Sequence, residues 1–261
     1  MTTSFLPGTV GIRLIGGPTA LIEMGGLRLL TDPTFDPPGD HPIGHRVLVK
    51  TRGPAVAADD MGPVDAVLLS HDQHPDNLDD AGRRLLDAVP VVLTTDSAAS
   101  RLGGPAQALE PWRRVLMPRP AGGELRVTGV PAQHGPDGTE AITGEVIGFV
   151  LSGEGLPTVY VSGDNASLGI VLAVAEHLGP IDVALLFAGA ARTPLLDAYL
   201  TLTSDQAARA ARILDARVVI PVHTEGWKHF TQGPETIVPA FARHGAGRQL
   251  RLLAPGESTT T

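Results

Sequence analysis

The chain has 261 residues, 43% of them hydrophobic, and a formal net charge of −8. This length suits one large domain or two small ones, and the apolar residues are enough for a sizeable core. The acidic balance and the lack of a Lys/Arg run argue against nucleic acid as a partner. The absence of cysteine excludes disulfides, thiolate nucleophiles and cysteine zinc ligands.

Short apolar segments bounded by glycine, proline or aspartate dominate the first half of the chain. The predicted strands lie at residues 9–15, 19–24, 27–32, 65–70, 91–95, 114–118 and 124–130, and a helix is predicted at 78–89. Residues 31–45, TDPTFDPPGDHPIGH, are predicted to form a loop. The strand DAVLLS (65–70) is too apolar to alternate, so we expect it to be buried on both faces.

The second half repeats the same order of elements. The predicted strands lie at 146–152, 158–164, 182–189, 217–223 and 249–255, and the helices at 167–179, 203–216 and 234–245. Thr203 and Gln206 have the spacing of a capping box. In both halves strands come first, and strand then alternates with helix. This order predicts a single α/β domain over residues 1–261, a four-layer αββα sandwich of two mixed β-sheets with helices on the outer faces.

No segment has the features of an export signal or a membrane span. Residues 1–10, MTTSFLPGTV, lack a basic stretch followed by an apolar one, and no apolar run is long enough to cross a bilayer. We therefore expect a cytoplasmic protein.

Histidine and aspartate residues follow the ends of several predicted strands. The segment HDQHPDNLDD (71–80) comes directly after DAVLLS, and His134, Asp164 and His223 each lie at or just past the end of another strand. Strands in a sheet lie about 5 Å apart, so these side chains can meet at one edge. Imidazole and carboxylate groups are the ligands that zinc accepts without cysteine, and manganese and iron accept them too. The sequence therefore predicts a metal site.

Five segments, in this order, resemble the metallo-β-lactamase-fold superfamily. They are GGPTALIEMGGLRLLTDPTF, DAVLLSHDQHPDNLD, PAQHG, VYVSGDN and VVIPVHTEGW, which together span residues 16–227. Within the superfamily, the chain resembles the branch of L-ascorbate-6-phosphate lactonase and N-acylphosphatidylethanolamine phospholipase D. The resemblance implies a hydrolase that uses a metal-bound hydroxide on a small-molecule phosphodiester, lactone or related ester. It also implies one or two divalent ions, zinc first, with manganese or iron as alternatives.

The family's first motif, His-x-His-x-Asp-His, departs from its usual form twice in this chain. It reads HDQHPDN (71–77), with one residue inserted between the first two histidines and Asn77 in place of the last. His71 is favoured as the first ligand, and Asp72 takes its place in an alignment without a gap. The metal ligands that the resemblance implies are His71, His74, Asp76, Asn77, His134, Asp164 and His223.

Three of these residues have a more specific implied role or a second interpretation. Asp164 corresponds to the carboxylate that bridges two ions, and Asp76 to the catalytic carboxylate that also positions the attacking water. Asn77 is either a weak amide ligand, which would shift the second site towards hard ions such as manganese, or the N-cap of the following helix.

The departures from the motif leave two other functions open. The first is a metal-binding member of the fold that is not catalytic, because its second metal site has degenerated. The second is a nucleic-acid-processing enzyme of the same fold, which the acidic charge disfavours.

Other polar residues near the predicted site have both structural and functional interpretations. Asp32 is expected to hydrogen-bond the backbone or a ligand histidine, as metal sites usually require. His41 and His45 lie in the loop 31–45, either on the surface or in contact with substrate. Four residues after His223 form either a loop with a packed tryptophan or a substrate-side wall that supplies a cation: Glu225, Trp227, Lys228 and His229.

Overall fold

Two mixed β-sheets form the centre of the protein in the computed structural model, which describes residues 8–261. In chain order the strands are β1 (Val10–Gly16), β2 (Thr19–Met24), β3 (Leu27–Thr31), β4 (Gly39–Ile43), β5 (Arg46–Lys50), β6 (Ala66–Leu68), β7 (Val92–Thr94), β8 (Ala106–Ala108), β9 (Arg114–Pro118), β10 (Glu124–Pro131), β11 (Ile147–Ser152), β12 (Val159–Val161), β13 (Val183–Phe187), β14 (Arg192–Thr193), β15 (Leu196–Tyr199), β16 (Val218–Val222) and β17 (Ser258–Thr260). Residues 1–7, which include most of the segment inspected for an export signal, lie outside the described residues.

Six α-helices and one short 3-10 helix connect the strands of the described chain. The helices are α1 (Asp80–Leu86), α2 (Asp96–Leu102), α3 (Glu140–Thr143), α4 (Leu168–Leu178), α5 (Ser204–Leu214) and α6 (Pro234–Arg243), and the 3-10 helix is Ala58–Asp60. None of the helices in residues 8–261 combines the length and apolar character needed to cross a bilayer.

Each large sheet combines an antiparallel meander with parallel strands. The first sheet has the order β17-β1-β2-β3-β6-β7-β8, and its strands from β3 to β8 run parallel. The second sheet has the order β16-β13-β12-β11-β10-β9, in which β12, β13 and β16 run parallel. Parallel strands point their carboxyl ends the same way, so the loops that follow them share one edge.

Three apolar clusters arrange the two sheets and the helices in four layers. The central cluster joins inward-facing residues of both sheets, such as Ile22 from β2 and Phe149 from β11. A second cluster packs α4, α5 and α6 on the outer face of the second sheet, and a third packs residues Leu78 and Leu86 on the first sheet. The predicted αββα sandwich is therefore confirmed.

Local sequence signals account for several helix ends. At α5, the Thr203 hydroxyl accepts from the Gln206 amide N at 3.2 Å, and the Gln206 Oε1 accepts from the Thr203 amide N at 2.9 Å, so the predicted capping box is confirmed. At α1, however, the N-cap is Asp79, whose carboxylate accepts from the Gly82 amide N at 2.8 Å. The prediction that Asn77 caps this helix is therefore wrong.

Two predictions about strands are also wrong. Residues 249–255 form no strand, and only Leu250 makes an isolated bridge, to Val219. Their apolar side chains pack against the clusters without regular pairing, so burial produced the strand-like pattern. The predicted loop 31–45 contains β4, which pairs with β5 in a separate hairpin. The segment GDHPI contains glycine, proline and a charged residue, which are typical of a loop. An exposed hairpin can form a strand without apolar alternation.

Candidate metal centre

The predicted metal-ligating residues meet at one edge of the sandwich. Four of them lie on the segment after β6 of the first sheet, and three follow β10, β12 and β16 of the second sheet. In chain order they are His71, His74, Asp76, Asn77, His134, Asp164 and His223; His74 is half-buried and the others are buried. Side chains that are far apart in the sequence thus come together where the two sheets face each other.

The first group of donor atoms comes from three histidines and one aspartate, whose atoms all lie within 4.8 Å of one another. His74 Nδ1 lies 2.8 Å from His71 Nε2 and 3.3 Å from His134 Nε2. His134 Nε2 also lies 3.4 Å from Asp164 Oδ2. The ligand atoms of a tetrahedral zinc ion at about 2.0–2.1 Å would lie about 3.3 Å apart, so the group has the size of a metal site.

A second group lies beside the first and shares Asp164 with it. It consists of Asp76, Asp164 and His223. His223 Nε2 lies 3.2 Å from Asp76 Oδ2 and 3.5 Å from Asp164 Oδ1. Because the other oxygen of Asp164 faces the first group, this carboxylate has the placement of a bridge between two ions.

Hydrogen bonds indicate which nitrogen of His134 and of His71 faces the first group. His134 Nδ1 lies 2.8 Å from the Leu200 carbonyl, which only accepts, so Nδ1 carries the proton and Nε2 presents a lone pair. The Ser70 hydroxyl donates to Asp32 Oδ2 at 2.7 Å and lies 2.9 Å from His71 Nδ1. Ser70 therefore accepts from His71, whose Nε2 is left as an acceptor. Partners of this kind orient metal ligands.

The surroundings keep His71 and His74 neutral. Burial, together with the neighbouring His134, lowers the pKa of His74 to about 4. Burial likewise holds the pKa of His71 well below its usual value, again with repulsion from His74. Neutral imidazole is the form that binds a metal ion, so both residues are ready for ligation at neutral pH.

Asp32 supports the centre through Ser70 and does not contact a ligand histidine itself. Its carboxylate accepts from the Ser70 amide N at 2.6 Å and from the Asn77 side-chain amide at 3.1 Å. Burial raises the pKa of Asp32 to about 7. The expected hydrogen bond of Asp32 with the backbone is confirmed. Asp32 reaches the ligand candidate His71 only through the Ser70 hydroxyl.

Asn77 is buried at the centre with its amide nitrogen towards carboxylates. The Nδ2 atom donates to Asp32 Oδ2 and to Asp164 Oδ1, each at 3.1 Å. Its Oδ1 atom is buried and has no hydrogen-bond partner among residues 8–261. The side chain therefore orients the Asp164 carboxylate, and only the Asn77 oxygen is left for an ion.

The two alternatives for the first ligand lie in different surroundings. His71 belongs to the first group of donors, whereas Asp72 turns away and accepts from Arg101 Nε at 3.0 Å. The segment that carries these residues ends at Asp79, whose buried carboxylate binds Lys50 Nζ at 2.7 Å and the amide N of Phe35 at 2.9 Å. These bonds tie the segment to β5 and to the loop after β3.

His223 is held in an unusual backbone conformation. Its φ angle is 58°, in the left-handed region that is uncommon for residues other than glycine. Its amide N donates to the Gly17 carbonyl at 2.8 Å, and its ring lies between those of Phe187 and Phe230, with centroids 5.3 and 3.9 Å away. Strained residues of this kind persist where the surroundings fix them, and they cluster at functional sites.

His229 is a functional candidate that the sequence does not indicate as a metal ligand, since its segment was interpreted as either a loop or a substrate-side wall. Its Nε2 lies 3.0 Å from Asp76 Oδ2, at the edge of the second group. No spacing rule links it to His223. The neighbouring Phe230 packs on the His223 ring and turns the chain back towards the centre.

A small pocket opens above the centre. Its lining includes His74, Asp76, His134 and His229, together with residues of β4, β5, α3 and β14. The predicted loop 31–45 therefore contributes Ile43, but His41 and His45 do not line the pocket. Of the four residues proposed as a wall after His223, only His229 does.

The donor set fits a divalent cation. Asp164 Oδ2 is buried without a hydrogen-bond partner in the described chain, and the His134 Nε2 that faces it carries a lone pair. Two acceptors that face each other in this way need a cation or a proton between them, since buried polar groups are almost always paired. Imidazole nitrogen and carboxylate oxygen suit zinc, manganese or iron.

The match to a known family covers most of the chain. Residues 27–224 match the model of the beta-lactamase superfamily domain. The chain therefore belongs to the β-lactamase superfamily, and the predicted metallo-β-lactamase fold is confirmed. The likeness to the lactonase and phospholipase D branch stays a prediction.

Known relatives are similar over nearly the whole chain. It is 30% identical over 273 residues to a UPF0173 metal-dependent hydrolase of Rubrobacter xylanophilus, with 98% of each chain covered. It is 28% identical over 249 residues to one of Pyrococcus furiosus, covering 95% of this chain and 98% of the relative. The solved isothiocyanate hydrolase from Delia radicum gut bacteria has a TM-score of 0.80 at 20% identity, covering 95% of this chain and 98% of that one. The first two relatives support a metal-dependent hydrolase, and the third has the same fold.

Proposed function

We propose that the protein is a hydrolase that holds one or two divalent ions, zinc first among them, at the candidate centre. The observation that carries this proposal is the 3.4 Å approach of His134 Nε2 to Asp164 Oδ2, a buried carboxylate oxygen that has no hydrogen-bond partner in the described chain. A cation between the two atoms pairs this oxygen, and the nearby nitrogens of His71 and His74 complete the cation's ligands.

The two groups of donors correspond to two ions that share Asp164. The first ion takes the nitrogens of His71, His74 and His134. The second takes Asp76 and His223, with His229 as the imidazole that replaces the one missing at Asn77. The position of His229 Nε2 beside Asp76 Oδ2 supports this exchange.

The reaction that this centre suits is attack of water on a phosphodiester, lactone or related ester. Bound divalent ions would lower the pKa of a water and offset negative charge on the substrate. Asp76, at the floor of the pocket, accepts a hydrogen bond from that water and orients it. The water oxygen bonds to carbon or phosphorus, the bond to the leaving oxygen breaks, and the leaving oxygen takes up the proton.

Metal quantification is the experiment that tests this function. Protein purified without chelator is analysed for its metals and then assayed with a panel of phosphodiesters and lactones, before and after chelation. We expect one or two ions per chain and turnover that is lost on chelation and restored by zinc or manganese. Protein that holds no ion at micromolar free metal would overturn the proposal.

A metal-binding protein without hydrolytic activity is the second candidate, and Asn77 is the observation that favours it. Residue 77 is asparagine, so the second group lacks the imidazole found at this position of the family's motif. The Asn77 amide donates to Asp164 instead. This candidate predicts one tightly bound ion and no turnover of any substrate in the panel.

A further inference from the structure

The pocket above the metal centre has an apolar wall that the proposed chemistry does not explain. Hydroxide attack needs only the polar floor, where His74, Asp76 and His134 lie. The apolar residues of the wall come from β4, β5, α3 and the segments around β14 and β15: Ile43, Leu48, Ile142, Ala191 and Leu200. Such a wall suits a hydrocarbon part of the substrate.

One cation of this wall has no carboxylate partner. Arg46, at the start of β5, lines the pocket and donates from Nη1 to the Thr193 hydroxyl at 2.8 Å. Thr193 is neutral, and none of the ion pairs found within residues 8–261 includes Arg46. Arg192 lines the same pocket, but its Nη2 lies 2.6 Å from Asp197 Oδ1, so its charge is already matched.

We propose that Arg46 and the apolar wall form a subsite for the anionic end of a substrate whose middle part is apolar. The inference rests on the proposed hydrolase function and specifies its substrate class: an ester that carries a carboxylate or phosphate group away from the bond that is cleaved. The planar guanidinium, with several donors, is suited to either anion.

The charge of the rest of the chain is a further reason for a cation in the pocket. The formal net charge is −8, so an anionic molecule meets repulsion on approach. A half-buried cation at the pocket wall offsets that repulsion locally. Arg46 also connects the β4–β5 hairpin to the β14–β15 hairpin through Thr193, which fixes the side chain at the pocket mouth.

Binding of paired acids to the metal-loaded protein tests the subsite without requiring turnover. Linear dicarboxylates of four to eight carbons are compared by calorimetry with the monocarboxylates of the same length. One carboxylate of each acid can occupy the metal centre. The difference in affinity between the dicarboxylate and the monocarboxylate therefore measures binding of the second carboxylate. We expect one chain length at which the dicarboxylate binds about tenfold more tightly, the value of one charge-assisted contact. Terminal phosphonates in place of the second carboxylate distinguish the two anions.

Variants separate the charge of Arg46 from its structural contact. Arg46→Met should abolish the preference while binding of monocarboxylates and the metal content stay the same. Thr193→Val removes the hydrogen bond but keeps the charge, and Arg192→Met removes a cation that is already paired, so both should retain the preference. Equal binding of both acids to the unaltered protein, or a preference that survives in Arg46→Met, overturns the subsite and leaves the hydrolase proposal intact. Failure of the unaltered protein to bind a metal ion would overturn the hydrolase proposal instead.

Discussion

The Nε2 atom of His229 lies 3.0 Å from the Oδ2 atom of Asp76, the oxygen that also lies 3.2 Å from His223 Nε2. Two imidazoles thus approach one carboxylate oxygen on the side of the centre where Asn77 supplies none. The group of donor atoms that includes Asp76 and His223 does not include His229, which lies beside it. Under the proposed function, His229 supplies the imidazole that Asn77 lacks.

His229→Ala is expected to lower the metal content from two ions to one per chain, because the second group keeps only Asp76, Asp164 and His223. Elemental analysis after gel filtration measures this directly. His41→Ala is the matched control, since His41 is half-buried against Trp227 and does not line the pocket. Two tightly held ions in His229→Ala would show that this imidazole is not a ligand.

His71 and Asp72 are adjacent but should respond oppositely to truncation. His71→Ala removes a donor from the first group, so we expect loss of the first ion. Asp72→Ala removes only the partner of Arg101, a half-exposed side chain, so the metal should remain and the free energy of unfolding should fall by about 1 kcal/mol at most. Metal analysis and urea unfolding of both variants measure this. The reverse result for the metal would support the alignment without a gap.

Asp164 is expected to affect both ions, because its two oxygens face different groups. Asp164→Ala should lower the content of each site, whereas His134→Ala and His223→Ala should each weaken one. Titration of the metal-free variants with zinc, followed by calorimetry, gives the number of sites and their affinities. If the stoichiometry were unchanged in His134→Ala and in His223→Ala, the centre would not bind metal through these residues.

The sequence was sufficient to predict the sandwich and the residues that meet at its edge, for a physical reason. Asp164 and His223 each follow a buried, apolar strand, and the ends of parallel strands share an edge. The local pattern of an apolar strand followed by a polar residue therefore indicates which distant residues lie close together. The position of Asn77 was harder, because Asp79 two residues later is an equally good N-cap and its carboxylate also binds Lys50.

Arg46 and His229 show what the sequence could not predict. Arg46 begins a strand in an exposed hairpin without apolar alternation, and its contact with Thr193 joins residues 147 positions apart. His229 reaches the centre because Phe230 packs on His223. Both placements depend on tertiary contacts of irregular segments, for which neither periodicity nor spacing supplies a signal.

Gly82 and Gly169 should respond oppositely to the same substitution. A Cβ atom at Gly82, inside α1, would lie 1.8 Å from the Pro33 carbonyl oxygen, which is rigid backbone of the loop that carries Asp32. Gly82→Ala should therefore push α1 away from this loop and lower the free energy of unfolding by about 1–3 kcal/mol.

Gly169→Ala is the matched control, because Gly169 is exposed in α4 and its added Cβ would meet only the Ser167 hydroxyl, at 3.5 Å. Alanine limits the unfolded chain more than glycine does, so this variant should gain about 0.5 kcal/mol. Urea unfolding of both variants, with the metal content held equal, measures the two effects. A Gly82→Ala variant as stable as the unaltered protein would mean that α1 does not pack against Pro33 as closely as described.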